Sequence, residues 1–161
     1  MKKSKYNFLL LLFYIPIFNS CTNHNEIEQI FINEDNEYWA CYNQQQSTYV
    51  YFQFHNNATF DQLAHDSSGD FILTNRGGDV MHSVGPWSVT KDSILTWGPH
   101  TYDILNYNEN AIVLLFVNPE TKLQSHTILI KEKSPNYRKS PAYYEQKRKA
   151  NPKKYPQPFL K

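Results

Sequence analysis

Any chemistry in this chain has to come from six histidines, two cysteines and a scatter of carboxylates and hydroxyls, and their spacing excludes most of it. His24, His55, His65, His82, His100 and His126 stand far apart, with no H-x-H pair and no HExxH run. Zinc sites draw His, Cys and carboxylate ligands from short, fixed spacings, so no metal centre is expected. Serines are common, yet none lies in a G-x-S-x-G turn, the elbow that presents a nucleophile to its base. One dense cluster is "HDSSGD", His65 to Asp70. A calcium loop spreads its oxygen ligands over a longer, specific spacing, so this stretch reads as a solvated turn. The chain is expected to be non-catalytic and to need no cofactor.

The cysteines carry more information. Lys2, Lys3 and Lys5 precede an apolar run, Phe8 to Phe18, that is eleven residues long and contains Pro16. A spanning helix needs about 20 apolar residues, whereas a cationic start, a short apolar segment and a small residue before the cut describe an export signal. With Ser20 before Cys21, the segment resembles the lipobox of bacterial lipoproteins, although Phe18 stands where the stricter pattern has leucine. The resemblance implies a signal peptide over residues 1–20, a diacylglycerol thioether on Cys21 and acylation of its new amine; the competing reading is an ordinary signal peptide cut elsewhere. At about 0.8 kcal/mol per buried CH₂, two or three acyl chains hold a protein on a membrane where one does not. Thr22 after the cysteine, in place of an aspartate, favours the outer membrane, with the periplasmic and surface faces both open. Cys41 then remains alone, which excludes an internal disulfide, and its place between Ala40 and Tyr42 predicts a buried, inert thiol.

The elements that must position these residues follow from charge and periodicity. Residues 21–36 read as a polar tether, residues 37–132 as one domain and residues 133–161 as a basic Pro/Lys/Tyr-rich tail. From Cys21 to Ile130 three basic residues (Arg76, Lys91, Lys122) face thirteen acidic ones, a balance of −10; from Lys131 to Lys161 ten face two, a balance of +8. In "TYVYFQF" (Thr48–Phe54), Val50, Phe52 and Phe54 alternate with Tyr49, Tyr51 and Gln53, the period of a half-buried strand. "HNNATF" follows, where Asn56-Asn57 can take the positive φ of a tight hairpin. Further strands are predicted at Tyr38–Tyr42, Asp70–Thr74, Trp87–Thr90, Ile94–Trp97, Thr101–Tyr107, Ala111–Val117 and Gln124–Lys131, giving eight on roughly ten-residue spacing. The prediction is all-β: a small antiparallel meander whose edges are protected by closing into a barrel, with no helix before the tail.

The block "VGPWSVTKDSILTWGPHTYDIL", with Trp39, "FQFHNNATF" and "AIVLLFVN", resembles the lipocalin-like domain of small exported bacterial lipoproteins over about residues 37–132. The resemblance implies a barrel more firmly than ligand transport, because a fold does not fix a function. An eight-stranded barrel holds one small ligand or is filled by its own side chains. Both readings stand for its many aromatics, with Trp39 and Trp87 taken as core. Tyr49, Tyr51, Trp97 and Tyr102 are the candidate ligand or partner contacts, since tyrosine is favoured where proteins meet.

In the tail, Ser140 suits an N-cap, Pro141 the first helical position, and Asn151-Pro152 a stop, so a short helix is predicted over residues 141–150. Lys147, Arg148 and Lys149 near its end suit the helix dipole, and with Lys153 and Lys154 they form the candidate basic contact. That contact is made with the chain's own acidic domain, with anionic headgroups or with an acidic partner. Nucleic acid is excluded by export. The expected function is a membrane-anchored lipoprotein that binds a protein partner or small apolar ligand in the bacterial envelope, a form similar to that of many toxin-neutralising immunity proteins. The alternative is a structural or accessory subunit of an outer-membrane complex held by the basic tail.

Overall fold

Alternation along each strand, one side chain in and the next out, builds the molecule. The computed structural model describes residues 25–43, 50–74 and 84–155. Cys21, Tyr49 and the signal segment lie outside the described residues. In chain order the elements are α1 (Glu26–Phe31), β1 (Glu37–Asn43), β2 (Val50–Phe54), β3 (Thr59–His65), β4 (Phe71–Leu73), β5 (Val84–Val89), β6 (Ile94–Trp97), β7 (His100–Tyr107), β8 (Ala111–Val117), β9 (Gln124–Lys133) and α2 (Pro141–Ala150). All strand pairs are antiparallel, in the order β2-β1-β9-β8-β7-β6-β5-β3-β4, and β2 also pairs with β3. That last pairing closes a ring through eight strands. The antiparallel barrel expected from the sequence is therefore present.

The ninth strand comes from β3, which the predicted set of eight did not include. One edge of β3 meets β2. The other is shared, with Thr59–Asp61 pairing β5 and Leu63–His65 pairing β4. The short β4 thus hangs outside the ring. The hairpin before β3 also differs from expectation: positive φ falls on Ala58 (63°), not on Asn56 or Asn57. Asn57 instead uses its side chain, Oδ1 accepting from the N–H and the hydroxyl of Thr59 at 3.1 and 2.6 Å. The other turns follow their sequences: Asp66 in "HDSSGD" accepts from the N–H groups of Ser68 and Asp70 at 2.9 and 3.0 Å.

A larger departure lies at residues 25–36, expected to be a polar tether. Residues 26–31 form a helix that plugs one end of the barrel, with Ile27 and Phe31 buried in the core. Asn25 caps it in a reciprocal box, accepting from the Glu28 N–H at 2.9 Å while its own N–H donates to Glu28 Oε2 at 3.0 Å. The same two side chains stitch the helix to β5: Asn25 Nδ2 donates to the Val89 carbonyl and the Val89 N–H donates to Glu28 Oε1. Trp39 Nε1 donates to the Phe31 carbonyl at 2.7 Å. Ile27, Ile30 and Phe31 make an apolar stripe at helical spacing, too short to stand out among the surrounding Asn and Glu.

The tail is folded onto the body. Its helix spans residues 141–150 as predicted, with Ser140 Oγ accepting from the Tyr143 N–H at 3.2 Å and Pro141 in the first turn. Pro141 and Ala142 are buried, so the boundary drawn at residues 132–133 is not a separation in space. Gly69 makes the close approach possible. Its φ is +81°, and a Cβ there would lie 2.3 Å from the Tyr143 ring.

Candidate binding cleft

The barrel interior is taken up by rings. Phe31, Phe52, Phe54, Phe60, Trp39, Trp87 and Trp97 pack around one another, with centroids from 4.4 Å (Phe52–Trp97) to 6.3 Å (Phe31–Trp39). Tilted and edge-to-face arrangements dominate, the geometry that aromatic quadrupoles favour. Trp39 and Trp87 are core, as expected. Trp97, expected as a contact residue, is also core at 2% exposure, because it pairs with Trp87 on β5 and faces inward. Its Nε1–H is buried and has no hydrogen-bond partner. Tyr102 packs between Trp97 and Phe116, at 5.8 and 5.5 Å, and burial, with the neighbouring Cys41, pushes its hydroxyl up to about 12. Burial likewise pushes the Cys41 thiol up to about 12, which leaves it without thiolate character at neutral pH.

A second, smaller core lies on the outside of the ring. Tyr38, Ala40, Tyr51 and Leu63 point outward from β1, β2 and β3 and are covered by Ala142 of α2, with Phe71 of β4 packed against them. The Phe71 ring lies 4.5 Å from Tyr38 and 5.3 Å from Tyr51. Tyr51, expected on a contact surface, is therefore 1% exposed. The alternation that placed it outside the barrel was right; the tail that buries it is what strand periodicity could not show.

Beside this outer core opens a cleft of about 850 Å³, within the range of sites that take a ligand or a side chain. One lip is the Asn33–Asp35 loop and the other is residues 136–139; Gln53, Leu63, Phe71 and Leu73 lie between. The two lips are tied across the floor by Tyr38, whose hydroxyl donates to the Tyr137 carbonyl at 2.6 Å. Gln53 Nε2 donates to the Glu37 carbonyl at 3.1 Å. On one wall His55 Nε2 and Asp61 Oδ2 are 3.1 Å apart. On the other, Lys139 Nζ bonds Asp70 Oδ1 at 2.8 Å and the Ser68 carbonyl at 3.2 Å. The hydrogen bond to Asp70 holds the Lys139 ammonium above its ordinary range. With Lys139 matched to Asp70, the lining holds three more carboxylates, Glu34, Asp35 and Asp61, and one guanidinium, Arg138, which stacks on Tyr137 at 5.4 Å. The cleft is thus half apolar and, in formal charge, acidic. Nδ2 of Asn33 on its rim is buried without a partner, while Oδ1 accepts from the Phe54 N–H at 2.9 Å.

The basic residues of the tail divide. Arg148 donates to Glu145 Oε2 through Nη2 at 2.6 Å, and Lys149 lies 3.7 Å from the other oxygen. The Arg148 bond, against a smaller desolvation effect, holds the Glu145 carboxyl below its ordinary value. Lys147 lies over the Tyr143 ring and Lys154 over Tyr155, both at 5.4 Å, and Lys153 is exposed.

The cleft was not legible in the sequence, because its lips come from segments read as tether and tail. Among the described residues no group of three His, Cys, Asp or Glu is placed to hold a metal ion, and no helix is long and apolar enough to cross a membrane. Compared with models of known protein families and with curated proteins, the chain matches none.

Proposed function

We propose that this protein is a lipid-anchored, non-catalytic component of the bacterial envelope that recognises a protein partner through the outside of its barrel. The observation that carries the reading is the pairing of a ring-filled interior with an outer cleft of about 850 Å³ that is open, acidic and partly apolar. Apolar walls supply the driving force for association and carboxylates steer a basic partner. The lipobox-like segment supports an anchor at Cys21, and Thr22 after it supports the outer membrane. A small apolar ligand is the second reading, favoured by Leu63, Phe71 and Leu73 in the lining of the cleft. The accessory-subunit alternative rests on the tail lysines, of which Lys147, Lys149, Lys153 and Lys154 are exposed.

Two experiments in cells test the proposal. Cys21→Ser should shift the protein from the membrane to the soluble fraction; retention on membranes overturns the anchor. A photo-crosslinking residue at Tyr137 on the cleft should trap a discrete envelope protein, while the same residue at Leu105, exposed on the opposite side of the ring, should not. Equal crosslinking from both positions, or none from Tyr137, overturns recognition at the cleft.

A further inference from the structure

β4 is an edge strand, and half of its outer edge is already in use. Its bonds to β3 run through even-numbered residues: the Asp66 N–H donates to the Asp70 carbonyl at 3.0 Å and the Thr74 N–H to the Gln62 carbonyl at 3.1 Å. In an antiparallel ladder the residues between such pairs turn their N–H and C=O away from the partner strand. Phe71 obeys this rule, its N–H donating outward to the Arg138 carbonyl at 2.8 Å, and Asp70 bridges Lys139. The chain's own tail therefore already behaves as a short tenth strand along the first residues of β4.

That coverage stops before Leu73. Its N–H and C=O leave the same outer edge, and among the described residues nothing bonds to them. The side chains there are apolar and exposed, Ile72 at 49% and Leu73 at 55%. Natural edge strands are normally blunted by charge, proline or a cover, and among the described residues β4 has none of these at Leu73. The side chain of Leu73 is opposite Leu63, on the cleft face, with Asp61 two residues further along β3 on that face.

We propose that the open edge of β4 at Leu73 is a strand-addition site for an extended segment of a partner protein in which apolar and basic residues alternate. The backbone of that segment pairs with the N–H and C=O of Leu73, extending the sheet as β-augmentation does elsewhere. The strand period puts its basic side chains on the cleft face, toward Asp61, Asp35 and Glu34, and its apolar side chains on the other face, beside the exposed Ile72. An acidic segment meets those three carboxylates instead and is rejected. The proposal rests on the cleft being the recognition surface.

The test uses the full lipidated protein in detergent and a fluorescein-labelled nonapeptide alternating Val and Arg, read by anisotropy. Two control peptides replace Arg by Glu, or carry N-methyl groups on alternate amides. The Arg peptide should bind at least tenfold more tightly than either control. Leu73→Pro should weaken it at least tenfold with the thermal melt unchanged, since this N–H bonds nothing among the described residues and proline is accepted on an outer edge. Asp61→Asn should weaken it about threefold. Equal binding of the Glu peptide, indifference to N-methylation, or no binding of the Arg peptide up to millimolar concentration overturns strand addition. If Leu73→Pro lowers the melt, the N-methyl control decides alone. Should the peptide fail while crosslinks from Tyr137 persist, recognition at the cleft survives and strand pairing does not; loss of both removes the cleft as well.

Discussion

Glu37 is the buried acid on which two strands converge at residue scale. Its carboxylate bonds Lys133 at 2.6 Å and lies 3.7 Å from Lys131, both on β9. Burial alone would raise its pKa, but the Lys133 hydrogen bond, the two ammonium charges and a backbone hydrogen bond from Glu34 together hold it below the ordinary value of 4.5. A carboxyl lowered by folding contributes stability above its unfolded pKa, and that contribution is lost as pH falls through the folded one. Glu37→Gln should therefore cost about 1–3 kcal/mol at pH 7, with the gap to wild type narrowing below about pH 4 in paired urea melts. A gap independent of pH sinks the assignment. Residue-level reading of the sequence worked where one fact sufficed: Cys41, flanked by apolar neighbours in a strand, is buried as expected. It misplaced Tyr51 and Trp97 because exposure depends on which distant segment lies over a face. An outward tyrosine is only a contact if nothing in the chain covers it.

Elements were legible in proportion to the length of their periodic signal and the clarity of their ends. β6 and β8 match the predicted Ile94–Trp97 and Ala111–Val117 residue for residue, each bounded by Asn, Gly or Asp turns. α2 was legible from its cap, its early proline and its Asn-Pro stop. α1 was not, because six residues carry less than two turns of pattern and nucleation of so short a helix is unfavourable without a surface. The barrel mouth is that surface. Phe31 is fully buried and touches Trp39, Phe54 and Trp87. Phe31→Ala should cost about 3–5 kcal/mol, the range for deleting a buried phenylalanine, measured as a lower urea midpoint. A loss below about 1 kcal/mol would mean that the helix is only laid against the barrel.

For the whole molecule, the opposite charge of the two halves is partly internal. Lys131 and Lys133 meet Glu37, and Lys139 meets Asp70, so the basic end of the chain is drawn onto the acidic ring. The covered surface is apolar as well as charged, and the composition shift near residue 131 marks a change of role within one folded body. A chain ending at Lys133 should expose Tyr38, Ala40, Tyr51 and Leu63, bind a hydrophobic dye and melt at lower temperature. Dye binding and a melt equal to those of the intact chain would show that the tail is dispensable to the fold. The Lys139–Asp70 pair is partly exposed and screened by salt, so the tail is held also by its backbone hydrogen bonds to Tyr38 and Phe71 and by the burial of Pro141 and Ala142.

The docked first helix also shortens the leash. A tether running from residue 21 to residue 36 could let the body roam about 50 Å from its anchor, at up to about 3.6 Å per residue. With Asn25 fixed against β5 by its side chain, four peptide links remain, and about 14 Å of reach. A lipid on Cys21 would then hold the plugged mouth of the barrel down against the headgroups. The orientation would be set, with the walls of the barrel, rather than that mouth, turned toward whatever passes along the membrane plane.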